Sequence, residues 1–167
     1  MASTGSAIDR DARESTRRRA NGMNAREPSA RAWAILFARL VLGLIFFMAG
    51  VYKVFELGPV AHVERYFLPF SRTFLPVWSL WAVGFTIPFV ELIGGALVIL
   101  GWRVKEAGIA LGAVLVVVTF GHLLENALYP FHEHVIPRLA LLVFVLAMPR
   151  EDDRFSIDGW RSRAASR

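Results

Sequence analysis

Four apolar runs dominate this chain, and they leave very few folds open to it. The runs are roughly Trp33–Phe55, Trp78–Leu100, Glu106–Leu128 and His134–Met148. A bilayer's hydrocarbon core is ~30 Å thick and takes ~20 helical residues to cross. With no water there, every backbone N–H and C=O must pair inside its own segment, so such runs form helices. The expected fold class is therefore all-α: a polytopic membrane protein built as a four-transmembrane-helix bundle. The fourth run is short for a span, and Pro137 near its start blurs where it begins. Tyr129-Pro130 is expected to end the third.

The polar residues gather where such a bundle would leave them. Of 167 residues, 55% are hydrophobic, above the ~45–50% usual for soluble chains, and the mean hydropathy is +0.46. Residues 1–31 carry seven arginines and four acids, and residues 149–167 carry nine charges. Three regions follow: an Arg-rich disordered tail over 1–31, a transmembrane domain over 32–149, and a polar tail over 150–167. A soluble enzyme does not fit this pattern. With no cysteine, the chain cannot build a thiol relay, an iron–sulfur ligand set or a thiolate zinc site. The net charge of +5 lies in tails without interleaved aromatics, so no nucleic-acid partner is expected.

Orientation follows from the same charges. With the N-terminus inside, seven basic residues of the N-tail, Arg103 and Lys105 of the middle turn, and five in the C-tail face the cytoplasm. Only Arg65 and Arg72 face outward. Positive charge collects on the cytoplasmic side, so the expected topology is N-in, C-in. The segment 56–77, with Pro59, Pro69 and Pro76 among Phe67, Phe70 and Phe74, has two readings. It is either a short amphipathic helix on the outer surface or a hydrophobic lid over the bundle.

Charges inside a span are costly and usually face the bundle interior. Six are expected there: Arg39, Lys53, Glu91, His122, Glu125 and Arg138. Helical spacing puts Arg39, Gly43, Phe46, Gly50 and Lys53 on one stripe of the first span. Gly84, Pro88, Glu91, Gly95 and Val98 form a second stripe. Gly108, Gly112, Leu115, Thr119 and His122 form a third, with Glu125 one turn beyond. Small residues on such stripes let membrane helices approach closely. At ~1.5 Å per residue, Arg39 lies ~9 Å and Glu91 ~13 Å from the inner boundary, so the two are expected to pair. That pair is either a register lock or a contact for a ligand such as a quinone headgroup. Lys53, His122, Glu125 and Arg138 are expected near the outer boundary. There, His122 and Glu125 with His132 and His134 would supply a metal site, two histidines would hold haem, or His122 and Glu125 would relay protons. Lys53 and Arg138 oppose the metal reading by their charge.

These stripes resemble the DoxX family of small bacterial membrane proteins. The matching residues are Arg39-x3-Gly43, Gly50-Val51-Tyr52-Lys53, Glu91-Leu92-Ile93-Gly94-Gly95, His122, and Phe155-Ser156-Ile157-Asp158 after the fourth span. The resemblance covers roughly residues 35–160. It implies a four-helix bundle in the bacterial inner membrane. Some relatives are subunits of a thiosulfate:quinone oxidoreductase and others are described as oxidoreductases. The expected function is thus a subunit or accessory protein of a quinone-linked redox system, with quinone as the implied cofactor. The expected partners are the lipid bilayer, other redox-complex subunits and further copies of the chain. The rival reading is a non-enzymatic scaffold or small-solute carrier with structural buried charges.

Overall fold

The computed structural model describes residues 29–126, 131–149 and 152–165, and the side chains of all of these except 131–134, 162 and 165. Residues 1–28 of the expected 1–31 tail and the Tyr129-Pro130 stop lie outside the described residues, and Ala30 and Arg31 already belong to the first helix. Every regular element described is helical. Helix α1 spans Ala30–Val51 and runs into a π turn at Tyr52–Glu56. Helix α2 spans Pro59–Tyr66 and a 3-10 turn follows at Leu68–Arg72. Then come α3 at Val77–Leu100, α4 at Val104–Glu125, α5 at Phe131–Ala147 and α6 at Ile157–Ala165.

The α1 start is set by Ser29, whose side chain accepts the Ala32 N–H at 3.3 Å, a helix N-cap. Helix α3 ends at Gly101, which takes the left-handed conformation at φ 68°. The Trp102 N–H then reaches back to the Leu97 carbonyl at 3.0 Å, satisfying a carbonyl that the helix end leaves open. Residues Ala30–Glu56, Val77–Leu100 and Val104–Glu125 are each long and apolar enough to cross a bilayer, and the apolar stretch Val135–Ala147 is shorter.

The chain is a membrane bundle, and its surface says so. Phe37, Met48, Ile93, Ile109, Val116 and Val143 all point outward and exposed from the long helices. Apolar area on that scale is a liability in water and the natural surface in lipid. The interior is built by Leu42, Phe46, Val98, Leu111, Leu115 and Leu142, drawn from α1, α3, α4 and α5. Helices α1 and α3 make the most extensive pairing, and glycine permits it. A Cβ on Gly50 would fall on the Leu92 backbone, and one on Gly95 would fall on that of Phe47. The first two stripes are the bundle's inner seam.

The segment between α1 and α3 is a lid with one face tucked in. Gly58, at φ 85°, lets the chain turn back into α2. His62 and Val63 are buried against the bundle, while Tyr66 and Phe74 stay exposed.

Candidate functional site

The expected Arg39–Glu91 pair does not form. The helix register explains why. Gly43 packs on Ile99, Phe47 on Gly95 and Gly50 on Leu92, so residue numbers on the two antiparallel helices rise and fall around a fixed sum. Arg39 therefore lies level with the Gly101 turn. Glu91 sits ten residues earlier on α3, ~15 Å along the axis. Counting each charge from the end of its own apolar run puts the two at a similar depth only if those ends are level. In fact α1 overshoots the α3–α4 turn, and the C-terminal segment packs along the overshoot.

Arg39 is 1% exposed there. Its Nε lies 3.6 Å from Asp153 Oδ2, and its Nη2 donates to the Phe155 carbonyl at 3.3 Å. A side chain on Gly101 would collide with the guanidinium. Around this residue the C-terminal motif ties this end of the bundle together. Ser156 Oγ donates to the Asp153 carbonyl at 2.9 Å and accepts the Gly159 N–H at 2.9 Å, starting α6. The Asp158 N–H meets the Gly101 carbonyl at 2.9 Å, and its carboxylate accepts the Val104 N–H at 3.0 Å. That carboxylate caps α4 from a distant part of the chain. Burial pushes Asp153 above the ordinary carboxylate range, opposed by the Arg39 charge and the Ser156 hydroxyl. Arg39 thus clasps this end through one hydrogen bond and one ion pair, while its Nε and Nη1 are buried without a hydrogen-bond partner.

Glu91 has a different partner. Lys53 Nζ lies 2.6 Å from Glu91 Oε2, with side chains 22% and 7% exposed. The π turn starts at Tyr52 and carries Lys53 within it. Such wide turns inside helices often occur at functional positions. Arg138 of α5 is close enough to act on Glu91 electrostatically.

Beside this pair lies a cavity of about 300 Å³ walled by the π turn, α2, the 3-10 turn, α3 and α4. Lys53, His62, Tyr66, Phe70, His122 and Glu125 are among its lining residues. Three of the six charges expected in the spans thus border one cavity: Lys53, His122 and Glu125. Arg39 does not, and Glu91 reaches it through Lys53. Among the described residues no three His, Asp or Glu side chains gather as metal ligands. The side chains of His132 and His134, needed for that alternative, lie outside the described residues.

The cavity holds one residue that sequence reading missed. His62 is 3% exposed, and its Nδ1 lies 2.9 Å from the Gly84 carbonyl. Its ring packs at 5.4 Å from both Tyr66 and Phe67. Pro88 lies inside α3 and has no N–H to offer the carbonyl four residues back, which belongs to Gly84. The His62 ring supplies a donor for that carbonyl. Gly84 also needs to be glycine, because a Cβ would press on the Phe67 ring at 2.8 Å. Burial, with the nearby Lys53 charge, lowers the His62 pKa below the ordinary 6.5, although the Gly84 bond opposes the shift. The signal in the sequence was the proline inside a span, which frees a carbonyl that must find a donor.

The DoxX family model matches residues 34–123, just over half of the chain. The chain belongs to the DoxX family. The match takes in Arg39, Lys53, His62, Glu91 and His122, and stops short of Glu125, Arg138 and the Ser156–Asp158 clasp. No curated protein and no solved structure matches the chain.

Proposed function

We propose that this DoxX protein binds the headgroup of a membrane quinone in its outer cavity, as a subunit or accessory protein of a quinone-linked redox system in the bacterial inner membrane. The observation that carries this reading is the 300 Å³ cavity with Lys53 and His62 on its wall. That volume is at the small end of ligand pockets, which usually combine apolar walls with a few polar groups that fix orientation. The aromatic wall offered by Tyr66, Phe67 and Phe70 suits a flat ring. The Lys53 ammonium, held by Glu91, presents further N–H donors to a ring oxygen, and His62 presents an acceptor to the ring hydroxyl of the reduced form. A quinone so bound supplies two-electron redox chemistry, and the protein supplies position and hydrogen bonding. Arg39 stands outside this reading, as an inner structural clasp.

The test is ligand binding by the purified, nanodisc-embedded protein. A short-chain quinone should bind saturably, and Lys53→Met should weaken it about tenfold, the value of a charge-assisted hydrogen bond. Absence of saturable binding to the wild-type protein would remove the proposal.

A further inference from the structure

The polar wall of the outer cavity is not symmetrical in its hydrogen-bonding character, and His62 is the reason. A carbonyl can only accept, so the Nδ1 that lies 2.9 Å from Gly84 O must carry the ring proton. In the neutral ring Nε2 is then a bare lone pair. Among the described residues Nε2 meets no partner, and His62 lines the cavity. The ring cannot turn to exchange its two nitrogens without losing the Gly84 bond and its packing between Tyr66 and Phe67. The tautomer is thereby fixed by the backbone of α3.

We infer that the cavity takes the reduced, ring-hydroxyl form of a quinone-type headgroup in preference to the oxidised form, with His62 Nε2 accepting the ring O–H. This rests on the quinone reading above and deepens it. A quinone offers only carbonyl acceptors, which face the His62 lone pair unfavourably. A hydroquinone offers that lone pair a donor. Lys53 serves either form, because its ammonium donates to a carbonyl or a hydroxyl oxygen alike. Leaving a buried acceptor unpaired discriminates more strongly than a missing apolar contact does. The preference depends on a neutral imidazole, which burial and the Lys53 charge both support. The other titratable or charged groups facing this region are Tyr52 and Lys53 on the π turn, Tyr66 on α2, and His122 and Glu125 on α4. Glu91 of α3 acts through Lys53, and Arg65 lies over the Tyr66 ring.

The experiment compares a short-chain quinone with its hydroquinone, the latter held reduced without oxygen, on the full-length protein in nanodiscs. At neutral pH the hydroquinone should bind about tenfold more tightly, the worth of one acceptor left unpaired. The preference should fade on acidification, as Nε2 gains a proton. His62→Asn separates the two jobs of the ring: its amide N–H still reaches Gly84, but nothing stands at the Nε2 position. That variant should bind both forms alike at every pH. Equal affinities in the wild type, or a preference that survives His62→Asn, would overturn the inference and leave the quinone reading standing. Failure of both forms to bind would remove the inference and the quinone reading together. Should His62→Asn not fold, 15N NMR of the wild-type histidines decides: an unprotonated Nε2 signal must shift with hydroquinone and stay put with quinone.

Discussion

At the scale of single residues, the two ion pairs make separable claims. Lys53 and Glu91 face each other at 2.6 Å with little exposure, whereas Arg39 belongs to Asp153 and the Phe155 carbonyl. Removing one member of a buried pair leaves an uncompensated charge, and removing both often restores stability. Lys53→Met alone is therefore expected to lower stability by about 3 kcal/mol, less than a fully enclosed pair because Lys53 is partly exposed. Adding Glu91→Leu should recover most of that loss. Arg39→Leu with Glu91→Leu should instead give additive losses, since the two share no partner. Unfolding in detergent of the single and double variants measures both cycles, and additivity for Lys53 with Glu91 would contradict the pairing. Glu125 is exposed and Lys53, His122 and Arg138 are only half-buried, but the burial of Arg39 and Glu91 was legible in the sequence, because small and charged residues recurred on one helical stripe. Their partners were not, because partnership depends on how far one helix slides along another. The slide was set by the Gly43, Gly50 and Gly95 contacts and by a C-terminal segment that no periodicity announces.

Elements were easier to read than their pairing. The four apolar runs match α1 with its π turn, α3, α4 and α5 to within a few residues, because hydropathy over twenty residues averages out local detail. Helix α4 ends at Glu125, where Asn126 adopts extended backbone, three residues before the expected Leu128. The lid was the ambiguous element, since Pro59–Tyr66 holds too few apolar residues to reveal that His62 and Val63 are its buried face. Helix α2 carries its own prediction. Burial lowers the His62 pKa below 6.5, so the folded state holds its proton less tightly than the unfolded one. The stability this ring contributes is then complete above 6.5 and is lost as pH falls through the depressed folded value. Amide exchange in α2, corrected for intrinsic rates, should accelerate between about pH 7 and pH 5 while the α1–α3 seam stays protected. His62→Asn should abolish that pH dependence. Uniform protection of α2 across the range would show that the lid is not held by a neutral imidazole.

For the whole molecule, sidedness reduces to a single question. Arg31 pairs with Asp152 at 3.1 Å, the Trp33 ring meets Phe155 at 4.7 Å, and Asp158 binds the Gly101 turn. The start of α1, the α3–α4 turn and α6 therefore share one face of the membrane, whichever face that is. An odd number of crossings between Gly101 and Asp158 is ruled out by those bonds, so α5 must return the chain despite its shortness. Its 17 residues span ~26 Å, a little under the hydrocarbon thickness, a mismatch that local thinning of the bilayer can absorb. Charge then chooses the face. Arg103, Lys105, Arg154, Arg161 and Arg163 lie at the clasped end, against Arg65 and Arg72 at the lid, and basic residues stay on the cytoplasmic side. Reporter fusions after residues 103 and 167 should both read cytoplasm, and an insertion within 60–72 should read outside. Opposite signals at 103 and 167 would contradict the Asp158–Gly101 contact. Reversal of all three would keep the bundle intact and place the cavity of Lys53 and His62 on the cytoplasmic side.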